Sequence, residues 1–302
     1  MATQPRDHRT GDPAASEPAV AARSAAIAAA RRAGVHVREL VTTTELVAAA
    51  DLAARVWKTD DTSQMDASLM RALSHSGNFV AGAFLADDSG EEGALVGMSV
   101  GFAATRPAAS LHSHMTCTAD EHRDRGLGYA LKVYQRSWAV QRGFTTVTWT
   151  FDPLVRRNAY FNLAKLGAQI VEYLPNHYGT MMDGLNASDE SDRLFLAWPV
   201  SEADRPDRPR LAEPTEHAVV LEVAADGEPR RHERDADRIA CQVPNDIVAL
   251  REQDPGAAAR WRKALREALA EALADGYLVD GFTRSGHYLL RRDRRAGAAG
   301  DG

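Results

Sequence analysis

From Val35 onward the apolar positions fall into two alternating periods, and each change of period marks a predicted element. VHVREL reads as a short strand. TTTELVAAADLAARVW places Leu46, Ala49, Ala50, Ala53 and Trp57 on one helical face behind a threonine cap, and DASLMRALSHSG predicts a second helix that stops at Gly77. NFVAGAFLAD and GALVGMSVGFAAT read as strands around an acidic turn at 87–93, and SLHSHMTCT as a third, which together make an antiparallel meander. LGYALKVYQRSWAVQRG then returns to helical period with Leu127, Leu131, Tyr134, Trp138 and Val140 to bury and Gly143 to end it. TTVTWTFDP follows as a strand, so this strand, helix, strand unit must cross over in parallel. RNAYFNLAKLGA predicts a short helix closed by Gly167, with strands at QIVEYL and RLFLAWPV.

After Pro199 the text turns charged and proline-rich, SEADRPDRPRLAEPTE, and reads as a linker. HAVVLEVAA beyond it predicts a strand and RWRKALREALAEALADGY an amphipathic helix with Trp261, Leu265, Leu269 and Leu273 in one apolar stripe. YLVDGF and HYLLRR predict a hairpin through Arg284 to Gly286. At the other end the alanine-rich segment before Val35 reads as a mobile tail. A helix from about Val20 to Arg32 is open to it on propensity, with no bulky apolar residue to dock it. The divisions expected are a tail over 1–34, a main domain over 35–200, a linker over 201–216, a smaller α/β extension over 217–292 and a tail over 293–302.

Composition narrows the class of function. The 302 residues carry a formal net charge of −6, which argues against a general binder of nucleic acid or anionic membrane and makes any basic patch local. No apolar run approaches the roughly 20 residues that span a bilayer. Two cysteines without a paired spacing suggest neither a disulfide framework nor a zinc site, so no metal is expected and a reduced, cytoplasmic setting is.

The local basic patch is RDRGLGYA, which puts Arg123, Arg125, Gly126 and Gly128 at the mouth of the crossover helix. A helix N-terminus with free amides and a glycine turn is suited to an anion. Spacing disfavours a P-loop, which needs a Lys-Ser/Thr pair after its second glycine, and a dinucleotide fingerprint, whose third glycine is replaced by Leu131. The remaining pattern, R-x-x-G-x-G between a strand and a helix after an antiparallel meander, resembles the GNAT superfamily of acyl-CoA N-acyltransferases. The resemblance covers about Val35 to Val200 and includes the order of elements as well as the motif.

That resemblance implies a mixed, mostly antiparallel α/β sheet flanked by helices, with acyl-CoA, acetyl or succinyl, as co-substrate. It implies that the turn Arg123, Asp124, Arg125, Gly126, Leu127, Gly128, Tyr129 and Ala130 wraps the pyrophosphate, and that backbone amides along Met115, Thr116, Cys117 and Thr118 polarise the thioester carbonyl. Asn158, which opens the helix ending KLG, is implied at the pantetheine arm, with Phe161 a turn later. One position departs from the family: where many members carry a tyrosine that protonates the departing thiolate, four residues before the closing glycine, this chain has Leu163.

Proton removal from an amine needs a base. Strand alternation puts His112, His114, Thr116 and Thr118 on one face, so His112 or His114 is the expected base, and a structural pair of sheet histidines is the competing reading. Asp152, at the end of its strand, is expected to bind an acceptor ammonium, to orient a histidine, or to serve only as a turn aspartate before Pro153. Cys117 is read as a buried strand cysteine rather than a nucleophile. YLPNHYGTMMDGLN is a candidate lining for the acceptor pocket. The expected reaction is N-acylation of a small-molecule amine or amino acid. A non-catalytic acyl-CoA sensor and a protein N-acyltransferase are the alternatives, and homodimerisation is left open.

Overall fold

The computed structural model describes residues 16–57, 65–86, 92–179, 189–200 and 214–293. Its first unit is a seven-stranded sheet in the order β1-β2-β3-β4-β5-β7-β6. The strands are β1 (Val35–Glu39), β2 (Phe79–Ala86), β3 (Glu92–Ala104), β4 (Ser110–Thr118), β5 (Thr146–Phe151), β6 (Gln169–Leu174) and β7 (Arg193–Pro199). Only β4 and β5 pair in parallel, across the predicted crossover helix α4 (Leu127–Gln141); every other neighbour in this sheet is antiparallel.

Helices cover both faces. On one side α2 (Thr43–Trp57) and α3 (Ala67–His75) bury Leu46, Leu52 and Met70 against Met98, Val100, Met115 and Cys117. On the other, α4 packs Trp138 and Ala139 with Leu111, Val147 and Trp149. Beside it lies α5, which begins as the turn Arg156–Ala159 and continues as the π-helical Tyr160–Lys165.

The amino-terminal segment departs from expectation. Glu17–Ala33 forms helix α1, closed by Gly34 in the left-handed region (φ 65°), and it docks rather than trails. Ala19, Ala22, Ala26 and Ala29 are buried, and Ala26 and Ala29 belong to one cluster with Leu127, Ala130 and Val133 of α4. Docking needed no bulky residue, because an all-alanine stripe lets two helices approach closely and the partner helix supplies the larger side chains. Residues 1–15 lie outside the described residues.

The alternation expected along β4 is broken by one residue. Val100 pairs with Met115 but the next residue, Gly101, pairs with Ser113, so His114 is an extra residue in β4, a β-bulge. Gly101 suits that crowded position, since a Cβ there would stand 2.9 Å from the His112 carbonyl oxygen. Below the bulge Met115 and Cys117 face α2 and α3 while Thr116 faces α4; above it Ser113 faces α4 and His112 the opposite side. His112 and His114 therefore do not share an unbroken face with Thr116 and Thr118.

The second unit is a five-stranded sheet in the order β11-β12-β10-β8-β9, with β8 and β10 parallel. It comprises β8 (Ala218–Val223), β9 (Pro229–Arg231), β10 (Arg238–Gln242), α6 (Ile247–Gln253), α7 (Pro255–Leu265), a π-helical turn Arg266–Ala270, α8 (Glu271–Ala274), β11 (Tyr277–Phe282) and β12 (His287–Arg292). The expected strand, helix and hairpin are present; β9, β10 and α6 are additional. Trp261, Leu265 and Leu269 of the apolar stripe are fully buried, in a cluster continuous with Trp149, Leu163 and Tyr173 of the first unit. Of the expected linker, 201–213 lies outside the described residues, as do 87–91 of the acidic turn and 294–302 of the C-terminal tail.

Candidate active site

The predicted glycine turn opens α4 as a bare helix N-terminus. Gly126 occupies the cap position with φ 82° and has no side chain to bond the amides that follow. The first helical bond is Ala130 N–H to the Gly126 carbonyl, so the amides of Leu127, Gly128 and Tyr129 come before any intrahelical acceptor. A Cβ built on Gly126 or Gly128 would meet nothing within 4 Å, so the space in front of the turn is open. Arg125 is exposed, and Arg123 is held by Asp120 at 2.5 Å on the surface. Free amides, the positive end of a helix of 15 residues and two flanking guanidiniums could hold an anion such as a diphosphate.

Behind this turn the sheet splits. β4 and β5 pair only at Ser110–Thr146, Leu111–Val147 and His112–Thr148; beyond that point β4 runs on to Thr118 and β5 to Phe151 without pairing. The Ala119 amide donates to Val96 of β3, and ladder alternation then directs the amides of Thr116 and Thr118 into the gap. The result is an open slot between two parallel strands with a bare helix N-terminus at its mouth. The first unit has the mixed, mostly antiparallel sheet flanked by helices that the resemblance to the GNAT superfamily implies.

The floor of this gap holds a residue that the sequence did not single out. Lys132 of α4 is fully buried; its Nζ donates to Ser113 Oγ at 2.7 Å and to Gln135 Oε1 at 3.3 Å, and lies 4.1 Å from the Trp149 ring centroid. Among the described residues no carboxylate pairs with it, and burial alone lowers its pKa from 10.5 to about 7. The polar seam continues on both sides, from Gln135 to Ser99 and Thr116, and from Trp149 Nε1 to Asn162 Oδ1 on α5. The available signal in the sequence was Lys132 and Gln135, three apart, interrupting the face that should pack on the sheet.

The two histidines stand on the opposite side of the split, both against Phe102, with ring centroids 5.3 Å away for His112 and 5.9 Å for His114. His112 Nδ1 is 3.2 Å from Thr148 Oγ1. Burial, with the nearby His114, Lys132 and His177, pushes the His112 pKa down to about 4, and burial lowers that of His114 as well; both rings are neutral at pH 7. The turn after β6 closes this side, with Tyr178 Oη 3.1 Å from Thr150 Oγ1 and its ring against the Arg193 guanidinium. Tyr173, by contrast, is committed to Asp192 at 2.6 Å, and residues 180–186 of the expected acceptor lining lie outside the described residues.

Asp152 does not serve the acceptor. Its carboxylate is buried and engaged by Arg262 at 2.8 and 2.9 Å, by Arg251 at 2.5 Å and by the Leu154 amide at 2.9 Å. Burial alone would raise its pKa, but Arg262 and Arg251 hold it well below the usual carboxylate range. Both arginines come from the second unit, about a hundred residues downstream, so no local pattern announced them. Asn158 is exposed and lies inside the first turn of α5 rather than at its cap, which is Val155; Phe161 is half-buried on the same helix. Leu163 is buried in the core, and Tyr160 accepts a bond from Arg284 at 3.0 Å. The Cys117 thiol is buried and pushed up to about 12, which leaves it inert.

No family model and no curated protein matches the chain. Solved acetyltransferases align with it at low scores. The putative acetyltransferase yncA from Salmonella typhimurium, with its cofactor acetyl-CoA, is 14% identical at a TM-score of 0.45, covering 58% of this chain and 99% of that one. The diaminobutyrate acetyltransferase EctA from Paenibacillus lautus is 17% identical at 0.42, covering 55% and 95%. The ribosomal-protein-S18-alanine N-acetyltransferase from Escherichia coli is 15% identical at 0.41, covering 57% and 97%. At this level they bear on neither substrate nor mechanism. Among the described residues no helix is long and apolar enough to cross a membrane, and no group of three or more His, Cys, Asp or Glu could hold a metal ion.

Proposed function

We propose that the chain is an acyl-CoA-dependent N-acyltransferase acting on a small amine or amino acid. The observation that carries the reading is the gap between β4 and β5 beyond His112 and Thr148, open at the bare N-terminus of α4. The amides of Leu127, Gly128 and Tyr129, with Arg125, hold the diphosphate; Asn158 flanks the pantetheine arm; the amides of Thr116 and Thr118 bond the thioester oxygen as it gains charge. Holding both reactants in one slot supplies a large part of the rate.

His114, at the bulge with its ring partly desolvated against Phe102 yet open to solvent, takes the proton of the attacking amine, and His112, half-buried against Thr148, backs the same wall. The Tyr178 turn lies over this wall, and that cover supports a compact acceptor rather than a long protein segment. The test is release of free thiol from acetyl-CoA and succinyl-CoA in the presence of amino acid and amine pools. Acceptor-dependent release supports the reading. Tight binding of acyl-CoA without release against any pool would make the chain a sensor, and release only with peptide N-termini would make it a protein N-acyltransferase.

A further inference from the structure

We propose that the Lys132 ammonium is the proton donor to the coenzyme A thiolate that leaves when the acyl group is transferred. The inference rests on the acyltransferase reading and names a group that reading leaves out. A thiolate expelled between the strands needs a proton, and the residue at the family's tyrosine position, Leu163, has none to give and is buried in the core.

Three observations converge on Lys132. The first is its place. The last paired residues of the split are His112 and Thr148, and Nζ is bonded to Ser113 and laid over Trp149, the next residue on each strand. The ammonium therefore sits at the fork of the gap. The second is its lack of a counter-ion. Buried lysines are ordinarily paired with a carboxylate, whereas the titratable group whose charge reaches this one is His112 on β4. β3, β5 and α5 bring only Ser99, Trp149 and Asn162 to the seam. The third is its proton affinity. A buried amine that titrates near 7 is protonated in about half of the molecules at neutral pH and releases that proton readily.

The step balances. The amine nitrogen bonds to the acyl carbon and gives its proton to His114. The C–S bond breaks with its electron pair on sulfur, and Nζ passes one proton to that sulfur, leaving coenzyme A thiol and a neutral Lys132. Solvent removes the proton from His114 and returns one to Nζ.

The test does not need the acceptor. Coenzyme A is bound to the wild type and to Lys132→Met, its affinity is measured by calorimetry, and the ionisation of the bound thiol is followed with pH in the thiolate ultraviolet band. The wild type should lower the thiol pKa below that of free coenzyme A, and Lys132→Met should raise it by a unit or more, a tenfold change, with affinity changed by less than about threefold. Lys132→Gln, which keeps a bond to Ser113 but no charge, serves if the methionine variant does not fold. In turnover with acetyl-CoA, either variant should lose about a hundredfold in kcat, the usual contribution of a general acid. Binding of coenzyme A with identical thiol ionisation in wild type and variant overturns the proton donor and leaves the acyltransferase reading standing. Failure of the wild type to bind coenzyme A removes both.

Discussion

Lys132→Met should make the protein more stable at neutral pH, and the gain should vanish in alkali. The ammonium is buried without a carboxylate, and its pKa falls from 10.5 to about 7 on folding. At about 1.4 kcal/mol per unit, that depression corresponds to about 5 kcal/mol of folding free energy lost to desolvation. The sign follows from proton counting. Between pH 7 and 10.5 the unfolded chain binds more protons at this residue than the folded one, so the penalty is complete below about 7 and is relieved as pH rises to 10.5. Methionine keeps the unbranched stem over Trp149 and removes the charge, but it strips Ser113 Oγ and Gln135 Oε1 of a donor, at about 1–3 kcal/mol for groups left unpaired. The net expectation is a gain of about 2–3 kcal/mol at pH 6–7 that shrinks steadily and reverses near pH 9. Urea unfolding of both proteins at unit steps from pH 6 to 10 measures it, because other titrating groups cancel in the difference. A difference that stays constant across that window, or a variant less stable at pH 6, refutes the buried-ammonium argument.

Gly126→Asp should weaken coenzyme A binding at least a hundredfold by calorimetry, since a carboxylate and a Cβ enter the open space before the amides of α4 while strain arises at φ 82°. Asn158→Ala should raise KM for acyl-CoA severalfold with little change in kcat, because its contact to the arm persists from ground state to transition state; an unchanged KM would refute that placement. His114→Gln should lower kcat at least tenfold and flatten the acidic limb of the rate profile while sparing acyl-CoA affinity, with His112→Gln the milder of the two. Asp152→Asn should destabilise the protein by about 3–5 kcal/mol in urea, because Arg251 and Arg262 are left buried with a weaker partner. In the wild type that carboxylate's contribution is present above about pH 4, the ordinary value, and is lost as pH falls toward its depressed one.

Periodicity located the strands and most helices of the first unit because each of them buries one face, and a buried face writes its period into the sequence. The parallel β4–β5 pair followed from the length of the crossover, and the glycine turn from residue types that only a particular backbone tolerates. What stayed hidden depended on partners remote in sequence. Asp152 looked like a residue free for substrate because Arg251 and Arg262 are not its neighbours in the chain. Helix α1 looked undockable because its own residues are small, and the bulk that covers them belongs to α4. The bulge at His114 shifts the pattern by a single residue, which alternation alone cannot register. Lys132 was passed over as one lysine on an amphipathic helix, although the packing of α4 on the sheet buries its ammonium.

These same features explain why a second unit is attached where it is. The gap has two walls. One is β4 with α4, anchored by the meander and by α1; the other is β5 with α5, which beyond its three residue pairs with β4 is held in the first sheet by β7 and β6. The second unit grips that other wall repeatedly. Arg251 and Arg262 hold Asp152 at the end of β5, Tyr288 Oη donates to the Pro153 carbonyl at 2.7 Å, and Arg156 at the start of α5 donates to Asn245 and to the Arg284 carbonyl. Arg284 in turn holds Tyr160, and Arg266 holds Asp192 just before β7. Every one of these contacts lands between Asp152 and Arg193, and none lands on the glycine turn or on β4. Slackening the second unit should therefore leave the glycine turn intact and disturb the side that carries Asn158. Deleting it outright would strand Asp152 and Asp192 without their guanidiniums inside a core that runs continuously from Trp149 to Trp261.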